Sequence, residues 1–298
     1  MSRIFCFLLP LVLFVQHNIF GQDKDLTDKF EQYVRPYVES RNFSGRILIS
    51  QKGKILFNKA YGSANLEFDV PNDLNTVFHI GSLSKSFTAA AILLLEQRGL
   101  LTTEDPLSKY IPDYPLGNKI TIHHVLSHTS GITEINDLPE YVTASLQQQT
   151  PATSIELFKN KPLEFLPGES YQYSNSNYAI LAFIIEQLSK KSFGVFMKEN
   201  IFSPLGMDHT IHRANMGQVI NKLAEGYVAD GNFGLLKAPY LDWSSKTGSG
   251  SVVSTVNDLE KWNAALLGTA MPLTICKLSS RKKLKADKID RENSELRV

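Results

Sequence analysis

The chain has 298 residues and a mass of 33.4 kDa, enough for one large domain or two modest ones with a substantial buried core. Hydrophobic residues make up 43% and charged residues 20%, a mixture that excludes wholesale disorder, collagen, coiled coils and multi-span membrane proteins. The 31 Lys and Arg balance the 30 Asp and Glu, which argues against a nucleic-acid binder, and two Cys cannot form a disulfide framework.

Residues 1–21 are typical of a secretory signal peptide. Arg3 gives a positive start, Ile4–Val15 is an apolar run too short to span a bilayer comfortably, and Gly21 could precede the cleavage point. We therefore expect a secreted protein, in the periplasm or at the cell surface if the source is bacterial, with no stable membrane span after cleavage. An uncleaved anchor is the alternative.

Helical spacing of apolar residues predicts a first helix over 23–40, and alternation on both sides of Lys52-Gly53-Lys54 predicts a hairpin of strands 46–50 and 55–60. A strong helix is predicted over 82–98 and ends before Gly99. Four more helices are expected, the last capped by Asp258: 122–127, 152–159, 177–189 and 259–267.

The end of the chain, residues 272–298, differs in composition. It is rich in Lys and Arg and has no aromatic residue or strand pattern. We interpret it as a basic, solvated tail. A basic arm that touches lipid or cell wall is the alternative.

The tetrad Ser82-Leu83-Ser84-Lys85 stands at the start of the long helix. A spacing of three residues puts Ser82 and Lys85 on one helix face, about one turn apart. A neutral amine there could take the serine proton, and the helix N-terminus with the Ser82 N–H could stabilise an oxyanion. Taken alone, however, the tetrad is better explained by an N-cap serine and a solvated lysine in the first turn, because Ser and Lys are common residues.

A second motif, Tyr173-Ser174-Asn175, precedes another helix. Residues two apart in an extended segment face the same way, so Tyr173 and Asn175 could share a pocket. A phenol near a lysine can hold or pass a proton, and an Asn amide can bond a substrate carbonyl and the lysine together. Packing of Tyr173 and a helix cap at Asn175 are the alternatives.

Five stretches, taken in order, carry a resemblance to a known family. They are Phe78–Ala90 with the Ser-x-x-Lys tetrad, Leu126–Ile132 with His-Thr-Ser-Gly, Pro167–Asn175 with Tyr-x-Asn, Pro204–Met207 with Pro-Leu-Gly-Met, and Gly248–Leu259 with Ser-Thr-x-x-Asp-Leu. Together they make the chain, over roughly residues 27–268, resemble the penicillin-recognising serine hydrolases. The likeness is greatest to the branch of class C β-lactamases, low-molecular-weight penicillin-binding proteins, D-aminopeptidases and esterases.

The resemblance implies a role at each matching position. Ser82 would be the acylated nucleophile and Lys85 the base that activates it. Tyr173 would complete the proton relay, and Asn175 would orient the substrate and the lysine. The reaction would be a two-step acyl transfer that needs neither a metal nor an organic cofactor.

The resemblance also implies an α+β fold, in which an antiparallel sheet is flanked by helices and carries an inserted, mostly helical domain. The hydrolase domain would span residues 22–271. Residues 22–75 would give the first helix and the hairpin of the sheet, 76–245 a mostly helical region, and 246–271 a return segment.

One motif departs from the family pattern. Lys246-Thr247-Gly248 has the sequence of the family's third motif, Lys-Thr-Gly, but it precedes the Ser-Thr-x-x-Asp-Leu stretch. In the family, the third motif follows that stretch and lies on a strand beside the nucleophile. We interpret these residues as a loop and expect the C-terminal strands of the sheet to be missing. The hairpin would then have unpaired edges, and the loss of one oxyanion donor typically costs ~10²–10³ in rate.

Other residue types are assigned structural roles. His124 and His128 have a spacing that could hold a metal, but no carboxylate or Cys cluster accompanies them, so we predict structural hydrogen bonding. We expect His209 and His212 at the surface. Aromatic packing is expected for five residues, with a substrate cleft as the alternative for the tyrosines: Trp243, Trp262, Tyr61, Tyr227 and Tyr240.

The predicted function is an exported serine hydrolase acting by an acyl-enzyme. Its substrate would be a small molecule or peptide with an ester or amide bond: a cell-wall D-amino-acid peptide, a small ester or a β-lactam. A peptidase or esterase is preferred to a dedicated β-lactamase. A catalytically impaired member that binds wall peptides or a protein is the alternative, and the oligomeric state is left open.

Overall fold

The computed structural model describes residues 24–231 and 234–268. The predicted signal peptide 1–21 and the tail 272–298 lie outside the described residues. The described part combines helices with small antiparallel sheets, which confirms the predicted α+β class. None of its helices is long and apolar enough to cross a membrane.

The described helices and strands follow one another in mixed order. The α-helices are α1 (Lys24–Glu39), α2 (Ser84–Gln97), α3 (Ile122–Leu126), α4 (Pro139–Ala144), α5 (Pro151–Phe158), α6 (Asn175–Ser189), α7 (Phe193–Met197) and α8 (Val256–Leu266). The strands are β1 (Gly45–Gln51), β2 (Lys54–Tyr61), β3 (Ser63–Asn65), β4 (Val70–Pro71), β5 (Phe78–His79), β6 (Ile211–His212), β7 (Tyr227–Asp230), β8 (Gly234–Lys237) and β9 (Val252–Ser254). Short 3-10 helices cover Gly81–Leu83, Leu107–Lys109, Ile135–Asp137 and Trp243–Lys246, and a π-helix covers Lys198–Phe202.

The predicted first helix and hairpin are confirmed. β1 and β2 pair antiparallel around Lys52 and Gly53, both of which have the positive φ that a two-residue hairpin turn requires. α1 packs on β2, with the Phe30 and Phe57 rings edge to face at 5.4 Å, and α8 packs on β1. Two helices that are far apart in the chain, α1 and α8, thus pack on the hairpin.

A second sheet has the strand order β5–β9–β6, and its strand β5 directly precedes the candidate site in the chain. Its central strand pairs antiparallel with both neighbours through Val253, which faces His79 in β5 and Ile211 in β6. The sequence patterns did not predict this sheet, because two- and three-residue strands are too short to show alternation. β3–β4 and β7–β8 form two further antiparallel pairs.

The core lies around α2 and α6, which contact each other. α6 is apolar on most of its faces and is buried accordingly. Phe87 of α2 is fully buried between Phe202 and Trp262, with ring centroids 5.4 Å and 4.3 Å away. These contacts fix α2 against α8 and the π-helix, and α2 carries one of the candidate site residues.

Three local predictions were wrong in detail. The helix expected from 82 begins at Ser84, because Gly81–Leu83 form one 3-10 turn first. The helix expected from 177 begins already at Asn175. Asp258 is not a cap: Thr255 is the N-cap residue, and its hydroxyl accepts the Asp258 N–H at 3.2 Å.

Candidate active site

Ser82 lies in the turn between β5 and α2. β5 ends at His79, and Gly81, with a φ of 52°, allows the chain to turn into the 3-10 segment that continues as α2. Ser82 is exposed. The Lys85 ammonium donates to its Oγ at 3.3 Å, so the predicted placement of the two side chains on one face is observed.

Lys85 is buried, with 6% of its surface exposed, and is therefore not the solvated lysine of the alternative interpretation. Its Nζ donates to three acceptors: Ser82 Oγ at 3.3 Å, Asn175 Oδ1 at 2.7 Å and the Ser249 carbonyl at 2.8 Å. An ammonium has three N–H donors, and the three acceptors account for all of them.

The surroundings of Lys85 favour loss of its proton. Burial lowers its pKa to about 8, the negative charge of Glu134 opposes this shift, and the positive charge of Lys246 adds to it. The rings of Tyr173 and Tyr178 lie 4.7 Å and 5.5 Å from Nζ and interact favourably with the charged form. A pKa this close to neutrality makes the amine usable as a base.

Tyr173 and Asn175 meet at the same place, as their spacing predicted. The Tyr173 hydroxyl donates to Ser82 Oγ at 2.7 Å, and Asn175 Oδ1 accepts from Lys85. Ser174, between them, points into the protein and is 1% exposed. All four predicted site residues therefore lie within one connected hydrogen-bond network around Ser82 Oγ.

His128 supports the Tyr173 segment. Its ring stacks on Tyr173 with centroids 4.7 Å apart, and its Nδ1 accepts the Ser174 N–H at 3.0 Å. Burial, helped by the nearby lysine charge, lowers the pKa of His128 to about 4, so the ring is neutral. His124 Nδ1 accepts the Thr121 N–H at the start of α3. Both rings thus make structural hydrogen bonds, and the described residues contain no cluster of three potential metal ligands.

Two parts of the site were missed by the sequence analysis. Glu134 is buried and accepts the backbone N–H of Asn175, its Nδ2–H at 2.7 Å, and the backbone N–H of Asn136 at 3.1 Å. The carbonyl of Ser249 bonds Lys85 from 164 residues away. Neither contact follows a local spacing, and Glu134 gave no signal beyond its place just after the His-Thr-Ser-Gly stretch.

Among the described residues, Ser82 has no side-chain hydrogen bond with Lys246, Thr247 or Gly248; its Oγ accepts from Lys85 and Tyr173. Lys246 ends a short 3-10 helix, donates to Asn136 Oδ1 at 2.5 Å and lies over the Tyr141 ring. The buried Thr247 hydroxyl lies 3.1 Å from His212 Nε2. The residues form the end of a helix and a turn, in line with their interpretation as a loop, although Lys246 contributes to the electrostatics of the site.

Two predictions about outlying residues were wrong. His212 is half-buried rather than exposed: it lies in β6, its ring packs against Phe193, and burial lowers its pKa to about 4. Tyr240 is exposed rather than packed in the core, whereas Tyr61 and Tyr227 are half-buried, and the Tyr61 ring packs on Phe43 with centroids 6.1 Å apart. Tyr61 and Tyr227 donate their hydroxyls to the carboxylates of Glu31 and Glu67.

The remaining predictions in this group agree with the structure. His209 is exposed. Trp243 stacks on His79 with centroids 3.9 Å apart, and Trp262 packs on Phe87. Both tryptophans are therefore packing residues.

Comparison with known proteins gives consistent matches. The Beta-lactamase family matches residues 30–291 of the chain. The chain is 33% identical over 243 residues to the protein PbpX of Bacillus subtilis (strain 168), covering 79% of this chain and 58% of PbpX. It is 34% identical over 248 residues to penicillin-binding protein 4* of the same organism, covering 76% of this chain and 53% of the relative. The chain thus spans little more than half the length of these curated relatives.

The crystal structure of a penicillin-binding protein from Bacillus halodurans is similar to most of this chain. It superimposes with a TM-score of 0.72 at 28% sequence identity, covering 82% of this chain and 76% of that one.

Proposed function

The chain belongs to the Beta-lactamase family of serine hydrolases, and we propose on this basis that it hydrolyses ester or amide bonds through an acyl-enzyme on Ser82. The observation that carries the proposal is the convergence of two groups on Ser82 Oγ. The Tyr173 hydroxyl lies 2.7 Å from it and the Lys85 amine 3.3 Å. One group can accept its proton while the other can hold or supply one.

In the first step, Ser82 Oγ attacks the acyl carbon and its proton passes to the neutral amine of Lys85. The C–O bond to serine forms as the carbonyl becomes an oxyanion, which the Ser82 N–H stabilises at the start of the turn leading into α2. Tyr173 relays a proton to the leaving amine or alkoxide as the bond to it breaks. The acyl group then remains on Ser82.

In the second step, a water molecule replaces the leaving group. Lys85 and Tyr173 take its proton, the resulting oxygen attacks the acyl carbon, and the ester bond to Ser82 breaks. The acid leaves and Ser82 regains its proton. No atom in either step has to come from outside the protein, the substrate and water.

We assign the substrate to the ester and amide class: a cell-wall D-amino-acid peptide, a small ester or a β-lactam. A peptidase or esterase is preferred to a dedicated β-lactamase, because the motifs are generic to the branch. The similarity to penicillin-binding proteins supports penicillin as a probe. We also retain export as a proposal, on the basis of the signal-like segment 1–21.

A catalytically impaired binding protein is the second candidate. It is favoured by the position of the Lys-Thr-Gly letters, because the Thr247 hydroxyl is directed to Ser244 and His212 rather than toward Ser82. Such a protein would use the same cleft to bind wall peptides or a protein partner and would show little or no turnover.

Acylation separates the two candidates. The chain is incubated with a penicillin and, separately, with an activated ester, and its intact mass is measured. We expect one adduct, lost in Ser82→Ala and retained in Ser203→Ala, which removes an exposed hydroxyl outside the site. A folded chain that gains no adduct from either probe would refute the hydrolase proposal and leave the binding protein.

A further inference from the structure

We propose that Glu134 is a positioning residue that fixes the amide orientation of Asn175 and thereby directs the lone pair of Lys85 at Ser82. This inference rests on the proposed function, since it concerns the same proton transfer. It assigns a role to a residue that the sequence motifs do not include.

Glu134 faces only donors. The N–H groups of Asn136 and Asn175 and the side-chain Nδ2–H of Asn175 all donate to its two carboxylate oxygens. Glu134 as a whole is 8% exposed, so water has little room to replace these bonds. An ionised carboxylate accepts hydrogen bonds and donates none.

This contact decides which end of the Asn175 amide faces the lysine. The NH₂ end must point to Glu134, where only acceptors are present, and Oδ1 must then point to Lys85, 2.7 Å away. Rotating the amide by 180° exchanges its oxygen and its NH₂ group with almost no change in shape, so only the hydrogen-bond partners distinguish the two orientations. With Glu134 in place, the reversed amide would lose its bond to the carboxylate.

The orientation matters when Lys85 is neutral. A neutral amine has two N–H donors and one lone pair. The two short contacts, to Asn175 Oδ1 and to the Ser249 carbonyl, use both donors, and the third direction, toward Ser82 Oγ, receives the lone pair. A reversed Asn175 amide would present N–H to Lys85 and compete for that lone pair.

The charge of Glu134 acts in the opposite sense. Its negative charge raises the pKa of Lys85, whereas burial and Lys246 lower it. If Glu134 served only to tune the charge of Lys85, it would hinder the formation of the base. Its benefit to the reaction must therefore come from geometry. Loss of Glu134 should lower the rate of the reaction through the lost geometry and, separately, lower the pKa of Lys85 through the lost charge.

The test uses Glu134→Gln in the full chain, with acylation by an activated ester measured from about pH 5 to 10. The substituted glutamine has nearly the same shape but must place an NH₂ group against at least one donor. We expect the rate at the alkaline plateau to fall roughly tenfold with KM little changed, a typical effect of one lost buried hydrogen bond. The acid limb of the profile should move to lower pH.

Glu140→Gln is the matched control. Glu140 is an exposed glutamate of α4 that pairs with Lys161 and makes no contact with the site. Its variant should keep both the plateau and the acid limb of the wild type. A general effect of removing one negative charge from this region would appear in both variants.

A second test exchanges the carboxylate and the amide between positions 134 and 175. Asn175→Asp alone places two carboxylates together and should be strongly impaired. Adding Glu134→Gln restores a donor opposite an acceptor, so the double variant should acylate faster than Asn175→Asp alone. This comparison also applies if Glu134→Gln alone does not fold.

The outcomes are distinct. A wild type that is not acylated refutes the proposed function. A wild type that is acylated, combined with a wild-type plateau in Glu134→Gln or no recovery in the double variant, overturns the role of Glu134 alone. A lowered plateau with the acid limb moved to lower pH, together with recovery in the double variant, supports it.

Discussion

The electrostatics of Lys85 give a prediction about the pH dependence of acylation that can be tested by one substitution outside the network. Lys246 donates to Asn136 and lies over Tyr141, and its positive charge is one of the influences that lower the pKa of Lys85. Lys246→Met keeps the length and apolar character of the side chain and removes the charge. The pKa of Lys85 should therefore rise.

The direction and size of the effect on the rate follow from the need for a neutral Lys85. With a pKa of about 8, roughly one-tenth of Lys85 is neutral at pH 7, and this fraction falls about tenfold for each pH unit below 7. A higher pKa moves the acid limb to higher pH, so Lys246→Met should lower the rate at pH 7. At the alkaline plateau Lys85 is neutral in both proteins, and the two rates should agree.

The assay is the initial rate of leaving-group release from an activated ester across the pH range, with thermal unfolding as a check on folding. Lys119→Met serves as the control, because Lys119 is an exposed lysine outside the site, and its profile should match the wild type. An acid limb that moves to lower pH in Lys246→Met would refute the reasoning. So would a lowered plateau with an unmoved limb.

Three further substitutions test the supporting structure. Phe87→Ala removes a fully buried ring and should lower the free energy of unfolding by roughly 3–5 kcal/mol, measured by urea denaturation; a loss below about 1 kcal/mol would contradict the packing described. Asp258→Ala should cost roughly 1–3 kcal/mol in the same measurement, because the His209 N–H and the Thr210 hydroxyl both donate to this buried carboxylate and would lose this acceptor. An unchanged midpoint would mean that these bonds are not formed. Gly131→Ala should destabilise the chain and reduce acylation, since φ is 75° and a Cβ would lie 2.0 Å from the Phe165 carbonyl oxygen; normal acylation would show that the loop tolerates a shift.

The sequence was most informative where a function depends on neighbours in the chain. The spacing of Ser82 and Lys85 is one turn, and that of Tyr173 and Asn175 is two extended residues, so local geometry alone predicts which side chains share a face. The long helix, the first helix and the hairpin were predictable for the same reason. The exact ends of these elements were not predictable, because the 3-10 turn before Ser84 depends on the position and direction in which the chain leaves β5.

The sequence was least informative where two distant segments meet. Glu134 and Asn175 are 41 residues apart, and nothing in the spacing of either segment indicates that they bond. His212 was expected at the surface because it follows a turn, yet β6 pairs with β9 and leaves it half-buried. In both cases the three-dimensional packing decides the environment, and a short strand leaves too little pattern to predict it.

The site resolves a conflict between two needs of its lysine. A base that is useful near neutral pH needs a lowered pKa, and burial of Lys85 provides it. A buried amine also needs hydrogen-bond partners, since an unsatisfied polar group is costly. Asn175 and the Ser249 carbonyl meet that need from one side, while Ser82 stays exposed to the substrate on the other. The groups that make burial tolerable are thus the ones that leave the lone pair only one direction, and that direction is the nucleophile.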